Sequence, residues 1–328
     1  MITRRFLAAC TALLLLGSLT GCYRGAIVER ESSSDGTPII APPEIKTEGG
    51  GTSVALFYRY LDEPLLAPLT VELHDRSDRT LEETAVRELL NGPAPTRTEL
   101  SSLFAPGVTL LEARLTGDEL SLTFNSTFTE PPTDMNLPVD WENDPGWEAR
   151  VALRRRLATY SIVDTVTQMG RVKSVLFKVD EYGDGATDRV RSRHLGLGED
   201  GPSEAVQRDA SYIITPQTAA ETALECLRER DYGRLERYVA EKGLTGVTRP
   251  VREDMANELS QRPQVVNYAL SDWYMFVSND GASAVLDLTI TLAGGNAKGQ
   301  QKNGVPLRLT REREIWKVPY EELEALLN

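Results

Sequence analysis

Apolar and polar positions recur along the chain in two periods, which divide it into predicted helices and strands. The best-marked helix spans residues 81–90, and its apolar residues lie three or four positions apart: Leu81, Ala85, Val86, Leu89 and Leu90. Thr80 precedes it in a capping-box pattern with Glu83, in which the Thr80 hydroxyl accepts from the Glu83 amide and the Glu83 carboxylate reaches back. Gly92 and Pro93 end the helix. One face of this helix is predicted to pack on a sheet.

Strand patterns surround this helix in the first half of the chain. Strands are predicted at residues 53–61, 69–73, 108–115, 120–124 and 172–179, and the third and fourth flank a turn that contains Gly117. A second helix is predicted to begin after Asp144, with Pro145 in its first position, and to run to about residue 169. The order of elements predicts an α+β fold with helices on one face of a mixed sheet.

The second half shows helical patterns first and strand patterns afterwards. Helices are predicted at residues 216–227, 231–243 and 253–259, the first capped by Thr215. Long strands are predicted at residues 265–277, 284–292 and 305–316, with a turn at residues 279–281 between the first two. This order indicates helices packed on a curved antiparallel sheet.

The first 22 residues have the pattern of an export signal. Arg4 and Arg5 precede an apolar run at residues 6–19, which is shorter than the roughly 20 apolar residues of a spanning helix. The run closes with Leu-Thr-Gly-Cys and resembles the lipobox of bacterial lipoproteins. That resemblance implies cleavage between Gly21 and Cys22, acyl chains such as palmitate on Cys22, and attachment to the extracytoplasmic face of the cell membrane. An uncleaved anchor or a hydrophobic tail is the alternative interpretation.

Composition shifts divide the chain into five predicted segments. Residues 1–21 are the signal peptide, 22–52 a tether rich in Ser, Pro and Gly, 53–183 the first domain, 184–212 a linker and 213–328 the second domain. A polar stretch at residues 125–146 holds four prolines and is predicted to be an irregular insertion in the first domain.

The first domain resembles a GerM-type domain. The resemblance rests on five blocks in order, at residues 89–93 (Leu-Leu-Asn-Gly-Pro), 106–111, 120–128, 162–166 (Ile-Val-Asp-Thr-Val) and 172–177. It implies a lipoprotein or membrane-anchored envelope protein of sporulation or spore germination, and no catalytic residues. The insertion at residues 129–147 is longer than the resemblance implies.

The second domain resembles the cone-shaped nuclear transport factor two fold, from about residue 216 to residue 328. In that fold the sheet curls around a pocket. The aromatic residues of the strands are candidates for its lining: Tyr268, Trp273, Tyr274, Phe276 and Trp316. Core packing is the other interpretation of these side chains.

Charge and rare residues limit the classes of function. The net charge of −13 argues against a nucleic-acid partner. Cys226 is the only cysteine after Cys22, and it falls in a predicted helix as a buried apolar residue. The two histidines, His74 and His194, lie outside any nucleophile motif. The loop after Asp180 matches a calcium loop only in part, because the last bidentate acid is missing.

These patterns predict a non-catalytic, lipid-anchored envelope protein without a metal or cofactor. It is expected to act as a scaffold or assembly module for envelope proteins and to form homo-oligomers. A small-ligand-binding protein that uses the pocket of the second domain is the alternative.

Overall fold

A computed structural model describes residues 51–74, 76–198, 200–294 and 299–328 of this chain, without the side chains of residues 272–274. The predicted signal peptide, Cys22 and most of the predicted tether lie outside the described residues. None of the helices within these ranges has the length and apolarity needed to cross a membrane.

Two sheets build the first half. Strands β1 (Gly51–Tyr60), β2 (Leu66–His74) and β3 (Leu100–Ser101) form an antiparallel sheet in the order β2-β1-β3. Strands β4 (Leu110–Thr116), β5 (Glu119–Asn125), β6 (Ser174–Asp180), β7 (Asp188–Arg189) and β8 (Val206–Gln207) form a five-stranded mixed sheet. Only the β5–β6 pair is parallel, because a long crossover connects these strands.

Side-chain capping fixes the two helices of this half. Helix α1 (Leu81–Asn91) begins where the Thr80 hydroxyl accepts from the Glu83 amide, as predicted, whereas the Glu83 carboxylate pairs with Arg87 at 2.9 Å. Helix α2 (Pro145–Thr167) begins at Asp144, whose carboxylate accepts from the amides of residues 146 and 147. Helix α2 packs on β1 and forms the crossover between β5 and β6.

Residues 184–212, which the sequence predicts as a linker, instead complete the mixed sheet in the described part of the chain. Strand β7 pairs with β6 at Lys178 and Val179, and β8 pairs with the start of the same strand. Val190, Leu195 and Val206 are buried in the core of the first half. Although the segment is rich in Gly, Asp and Arg, these buried apolar side chains pack it onto the first half.

The second half follows the predicted order of helices and then strands. Helices α3 (Pro216–Glu229), α4 (Tyr232–Leu235) and α5 (Arg252–Ser260) come first, and strands β9 (Gln264–Val277), β10 (Ser283–Ala293), β11 (Gln300–Glu312) and β12 (Ile315–Lys317) follow. A final helix, α6 (Tyr320–Leu327), was not predicted. The antiparallel sheet has the order β12-β11-β10-β9, and its register shifts bend β9 and β10. The α+β class and the curved antiparallel sheet are confirmed.

The last predicted strand, at residues 305–316, is interrupted by a tight turn. Arg313 and Glu314 have positive φ angles of 47° and 70°, which are uncommon for residues other than glycine. This turn separates β11 from β12. The sequence carries no glycine or asparagine there, so it gives no signal of the break.

Candidate functional site

A buried ion-pair cluster joins the two halves of the chain. The carboxylate of Glu63 is 2% exposed. It lies 2.8 Å from the guanidinium of Arg234 and 2.7 Å from that of Arg237, and Arg237 also pairs with Asp62. The Tyr60 hydroxyl donates to the Arg237 carbonyl over 2.7 Å. The end of β1 and the loop after it are therefore held against α4.

Hydrogen bonds from β2 and from Arg97 reinforce this junction. The Ile214 amide donates to the Leu66 carbonyl over 2.8 Å. The Thr70 amide donates to the Glu314 carboxylate over 2.9 Å, and Arg97 donates to the Arg313 carbonyl over 2.8 Å. The first half thus binds both residues of the strained β11–β12 turn, and these contacts hold the turn in its uncommon conformation.

A small cavity lies beside α2 in the first half. It has a volume of about 110 Å³ and is lined by residues 102–106, 108, 127, 128, 130–134, 154, 155, 158, 159 and 194. Pockets for drug-sized ligands have volumes of about 300 Å³ or more, so this cavity suits a small group such as a single carboxylate. The insertion that exceeds the family pattern, residues 129–147, supplies one wall of it.

Arg154 holds the walls of this cavity together. Its side chain is buried, and its guanidinium donates to the Leu103 carbonyl and, over 3.1 Å, to the Asp134 carboxylate. Asp134 is half exposed, so this counterion faces solvent. Arg154 lines this cavity, and a guanidinium can donate to an anion that enters beside its Asp134 partner. Sequence reasoning missed Arg154, because its partners are about 20 and 50 residues away.

His194 borders the same cavity on the segment that was predicted as a linker. Burial and the nearby guanidiniums of Arg155 and Arg193 lower the pKa of His194 to about 4. The neutral ring accepts a hydrogen bond from Arg193 Nε over 3.2 Å. Gly196 follows with a φ angle of 70°, and a Cβ there would lie 2.2 Å from the Ala152 carbonyl oxygen of α2. This close approach positions His194 against the helix.

Of the aromatic residues predicted to line a pocket in the second half, Tyr268 and Phe276 lie on opposite faces of the sheet. Tyr268 pairs with Ile290 on the buried face of the sheet, and its hydroxyl donates to the Glu221 carbonyl of α3 over 3.3 Å. Trp316 is buried in the core. Phe276 pairs with Val285, a position of the opposite face. The side chains of Trp273 and Tyr274 lie outside the described part of the structure.

The remaining candidate residues are Asp180, Cys226 and His74, and each lies in a different part of the fold. The Asp180 carboxylate accepts from the amides of Gly183 and Gly185 over 2.7 and 3.1 Å, which fixes the loop that partly matches a calcium site. Among the described residues no group of three or more His, Cys, Asp or Glu is placed to hold a metal ion. Cys226 is buried, and this burial raises the pKa of its thiol to about 12. His74 is exposed at the end of β2.

The outer edge of the mixed sheet is an exposed surface of the first half. Strand β4 is the end strand of that sheet and pairs on one side only in the described part of the chain. Leu111 is 49% exposed, and Glu112 and Arg114 are exposed as well. Edge strands present unpaired backbone groups to solvent, so β4 can add a further strand.

A family model matches part of the first half. Residues 60–182 match the family model described as "Germane: Sporulation and spore germination", which confirms the resemblance predicted for residues 53–183. No curated protein matches the chain.

Three solved structures are similar to parts of the chain. The tandem GerMN domains of the sporulation protein GerM from Bacillus subtilis are 19% identical over 52% of this chain, with a TM-score of 0.32. The chain spans about half of that structure, 49% of its length. A putative lipoprotein from Clostridium perfringens is 15% identical over 52% of this chain and 95% of its own, with a TM-score of 0.29. A putative polyketide cyclase from Xanthomonas campestris is 14% identical over 34% of this chain and 93% of its own, with a TM-score of 0.22.

Proposed function

We propose, from the premise that residues 60–182 form a GerM-type domain, that this protein is a non-catalytic scaffold of the bacterial cell envelope. The lipid on Cys22 attaches it to the extracytoplasmic face of the membrane, and its domains bind envelope partners during sporulation or germination. The family match supports the sporulation or germination setting, and the lipobox-like sequence at residues 19–22 supports the anchor.

One observation carries the assembly role: the second half is joined to the first at the end of β1 and along β2, while the edge of β4 is left open in the described structure. The buried Glu63 cluster and the Leu66–Ile214 hydrogen bond join the halves on one side. The open edge of β4 belongs to the other sheet. A joined pair of domains with an open sheet edge suits a part that adds to a larger structure.

The anchor is tested by labelling cells that express the full chain with radioactive palmitate. We expect label on the wild-type protein and its recovery in the membrane fraction. The Cys22→Ala variant should carry no label, because the acylated thiol is gone. Cys10→Ala is the matched control, since Cys10 leaves with the signal peptide, and it should behave as wild type. An unlabelled wild-type protein would overturn the lipid anchor.

The assembly role is tested on the same cells with a photo-crosslinking amino acid at Leu111, on the open edge. We expect a discrete crosslinked species that Cys22→Ala reduces, because the lipid brings the protein to its partners. The same probe at the exposed Tyr182, outside β4, is the control. Absence of any specific adduct from β4 would contradict assembly through this edge.

A second candidate function, the binding of a small carboxylate, is favoured by the cavity at Arg154. Acetate is a suitable probe because the cavity has a volume of about 110 Å³. We expect acetate to shift the NMR signals of residues 102–106 and 127–134 in the wild-type protein. Arg154→Gln should abolish the shifts, whereas Arg150→Gln, a change on the same helix outside the lining, should keep them. Equal shifts in all three proteins would exclude this site.

A further inference from the structure

The side chains of strand β4 are complementary to those of a second β4 strand that runs antiparallel to it. Residues 111–115 are Leu-Glu-Ala-Arg-Leu, so leucines lie at both ends, opposite charges lie at the second and fourth positions, and alanine lies at the centre. When two such strands run antiparallel with Ala113 opposite Ala113, Glu112 of each copy faces Arg114 of the other. Leu111 of each copy then faces Leu115 of the other.

The environment of these charges leaves them available for a partner strand. Glu112 pairs with Thr123 and Arg114 with Ser121 across the β4–β5 ladder, so neither faces a charged residue within its own sheet. Both side chains are exposed, and neither forms an ion pair with another described residue. Leu111 stands at the register shift of β4 and is 49% exposed.

The charge pattern of β4 favours an antiparallel partner strand in one register. Opposite charges directly across an antiparallel pair stabilise it, and like charges destabilise it. A parallel pairing in register would place Glu112 beside Glu112 and Arg114 beside Arg114 of the second copy. A shift of the antiparallel register by two residues would remove both charge pairs and both leucine pairs, and it would place either Glu112 opposite Glu112 or Arg114 opposite Arg114. Strand β4 lacks proline and lysine, which often protect edge strands from pairing, but it has a register shift between Leu110 and Glu112 at its start.

We propose that β4 is a homodimerisation edge, which pairs antiparallel with β4 of a second copy about a two-fold axis at Ala113. This contact joins two five-stranded sheets into one continuous sheet. The proposal deepens the assembly role proposed above and rests on it. The pairing involves only five residues of each copy, so it is weak in dilute solution. Confinement of both copies to one membrane raises their effective concentration and favours the dimer.

Charge reversal at two positions tests this pairing. The mature chain from residue 22 with Cys22→Ser is studied by sedimentation equilibrium up to about 1 mM, where a dimer with a Kd near that value is populated. Glu112→Arg and Arg114→Glu each place two pairs of like charges across the two-fold axis. Each single variant should weaken the dimer at least about 10-fold. The double variant E112R/R114E is again self-complementary and should restore the wild-type Kd within about 3-fold.

A thiol at the axis gives an independent measurement of the geometry. In the Ala113→Cys variant the two introduced thiols face each other across the axis, and mild oxidation should give a disulfide-linked dimer. Thr116→Cys is the control: it lies three residues from the axis and should crosslink much more slowly. The native Cys226 is buried and does not take part. Unchanged melting curves show that each variant folds.

Three outcomes would overturn the homodimer. They are a strictly monomeric wild-type chain, a dimer that single charge reversals leave unchanged, and a double variant as weak as the singles. A monomer whose anchored form still crosslinks from Leu111 to another envelope protein would refute the homodimer and leave the scaffold role standing. Loss of palmitate labelling would instead refute the anchor, whatever the purified chain does.

Discussion

Glu63 and Arg234 are 171 positions apart in the chain, yet their charged groups lie 2.8 Å apart at the junction of the two halves. Glu63 is buried, whereas Arg234 and Arg237 keep 31% and 32% of their side chains exposed. A buried carboxylate needs such partners, because its removal from water is unfavourable. Glu63 is therefore one of the contacts that fix the position of the second half on the first, together with the hydrogen bonds of Tyr60 and Leu66.

Glu63→Gln is expected to lower the free energy of unfolding by about 2 kcal/mol, because it leaves two guanidiniums without their buried carboxylate. The partial exposure of both arginines keeps the loss below that of a fully buried pair. Asp62→Asn is the matched control, since the Asp62 side chain is 72% exposed and its carboxylate pairs with Arg237 at the surface. It should change stability by less than about 1 kcal/mol. Urea unfolding measures both changes, and equal losses would contradict the assigned role of Glu63.

His194 is expected to make stability fall as the pH is lowered. Its pKa of about 4 in the folded protein lies below the value of about 6.5 in the unfolded chain. Between these values the unfolded state binds more protons, so the melting temperature decreases as the pH falls from about 7 to about 4.5. His194→Gln should remove part of this decrease.

His74→Gln is the control for that measurement, since His74 is the other histidine of the chain and is exposed. Its pH profile should follow the wild-type profile. If both histidine variants follow the wild type between about pH 7 and pH 4.5, His194 does not titrate as proposed.

Gly196→Ala is expected to destabilise the first half by about 3 kcal/mol. The new methyl group would lie 2.2 Å from a backbone oxygen of α2, which a side-chain rotation cannot relieve. Gly198→Ala is the control, because Gly198 also has a positive φ angle but has open space around its Cβ position. It should cost about 1 kcal/mol. Thermal unfolding compares the two variants, and a Gly196 variant as stable as the Gly198 variant would refute the close approach.

Cys226 is expected to be unreactive in the folded protein. Its thiol is buried and has a pKa of about 12, so little thiolate is present at pH 8. Ellman's reagent should label the native chain from residue 23 at least about 100-fold more slowly than the chain unfolded in urea. Labelling at similar rates in both conditions would show that the helix α3 region opens freely.

Local chemistry explains which elements the sequence predicted correctly. Thr80, Asp144 and Thr215 each cap a helix, because a short polar side chain before an apolar helical pattern binds the free amides of the first turn. The β4–β5 hairpin likewise follows from the turn at Gly117, which has a φ angle of 66°. In each case the signal and the structure that it specifies lie within a few residues.

The features that the sequence did not predict depend on distant partners. Strands β7 and β8 exist because β6 offers them pairing positions, and their own sequence resembles a linker. The turn at Arg313 and Glu314 is held by Arg97 and Thr70 of the other half. The cavity at Arg154 forms only when residues 102–104, the insertion and α2 meet. No local sequence pattern specifies contacts between segments that lie so far apart in the chain.

The strands contributed by residues 184–212 also bear on how this protein can evolve. A linker tolerates insertions and deletions, but here a change in length would shift β7 or β8 along β6 and turn Val190 or Val206 out of the core. Residues 184–212 are therefore an integral part of the first half rather than a spacer between the halves. We expect changes of length to be tolerated in the surface loops and not in this segment.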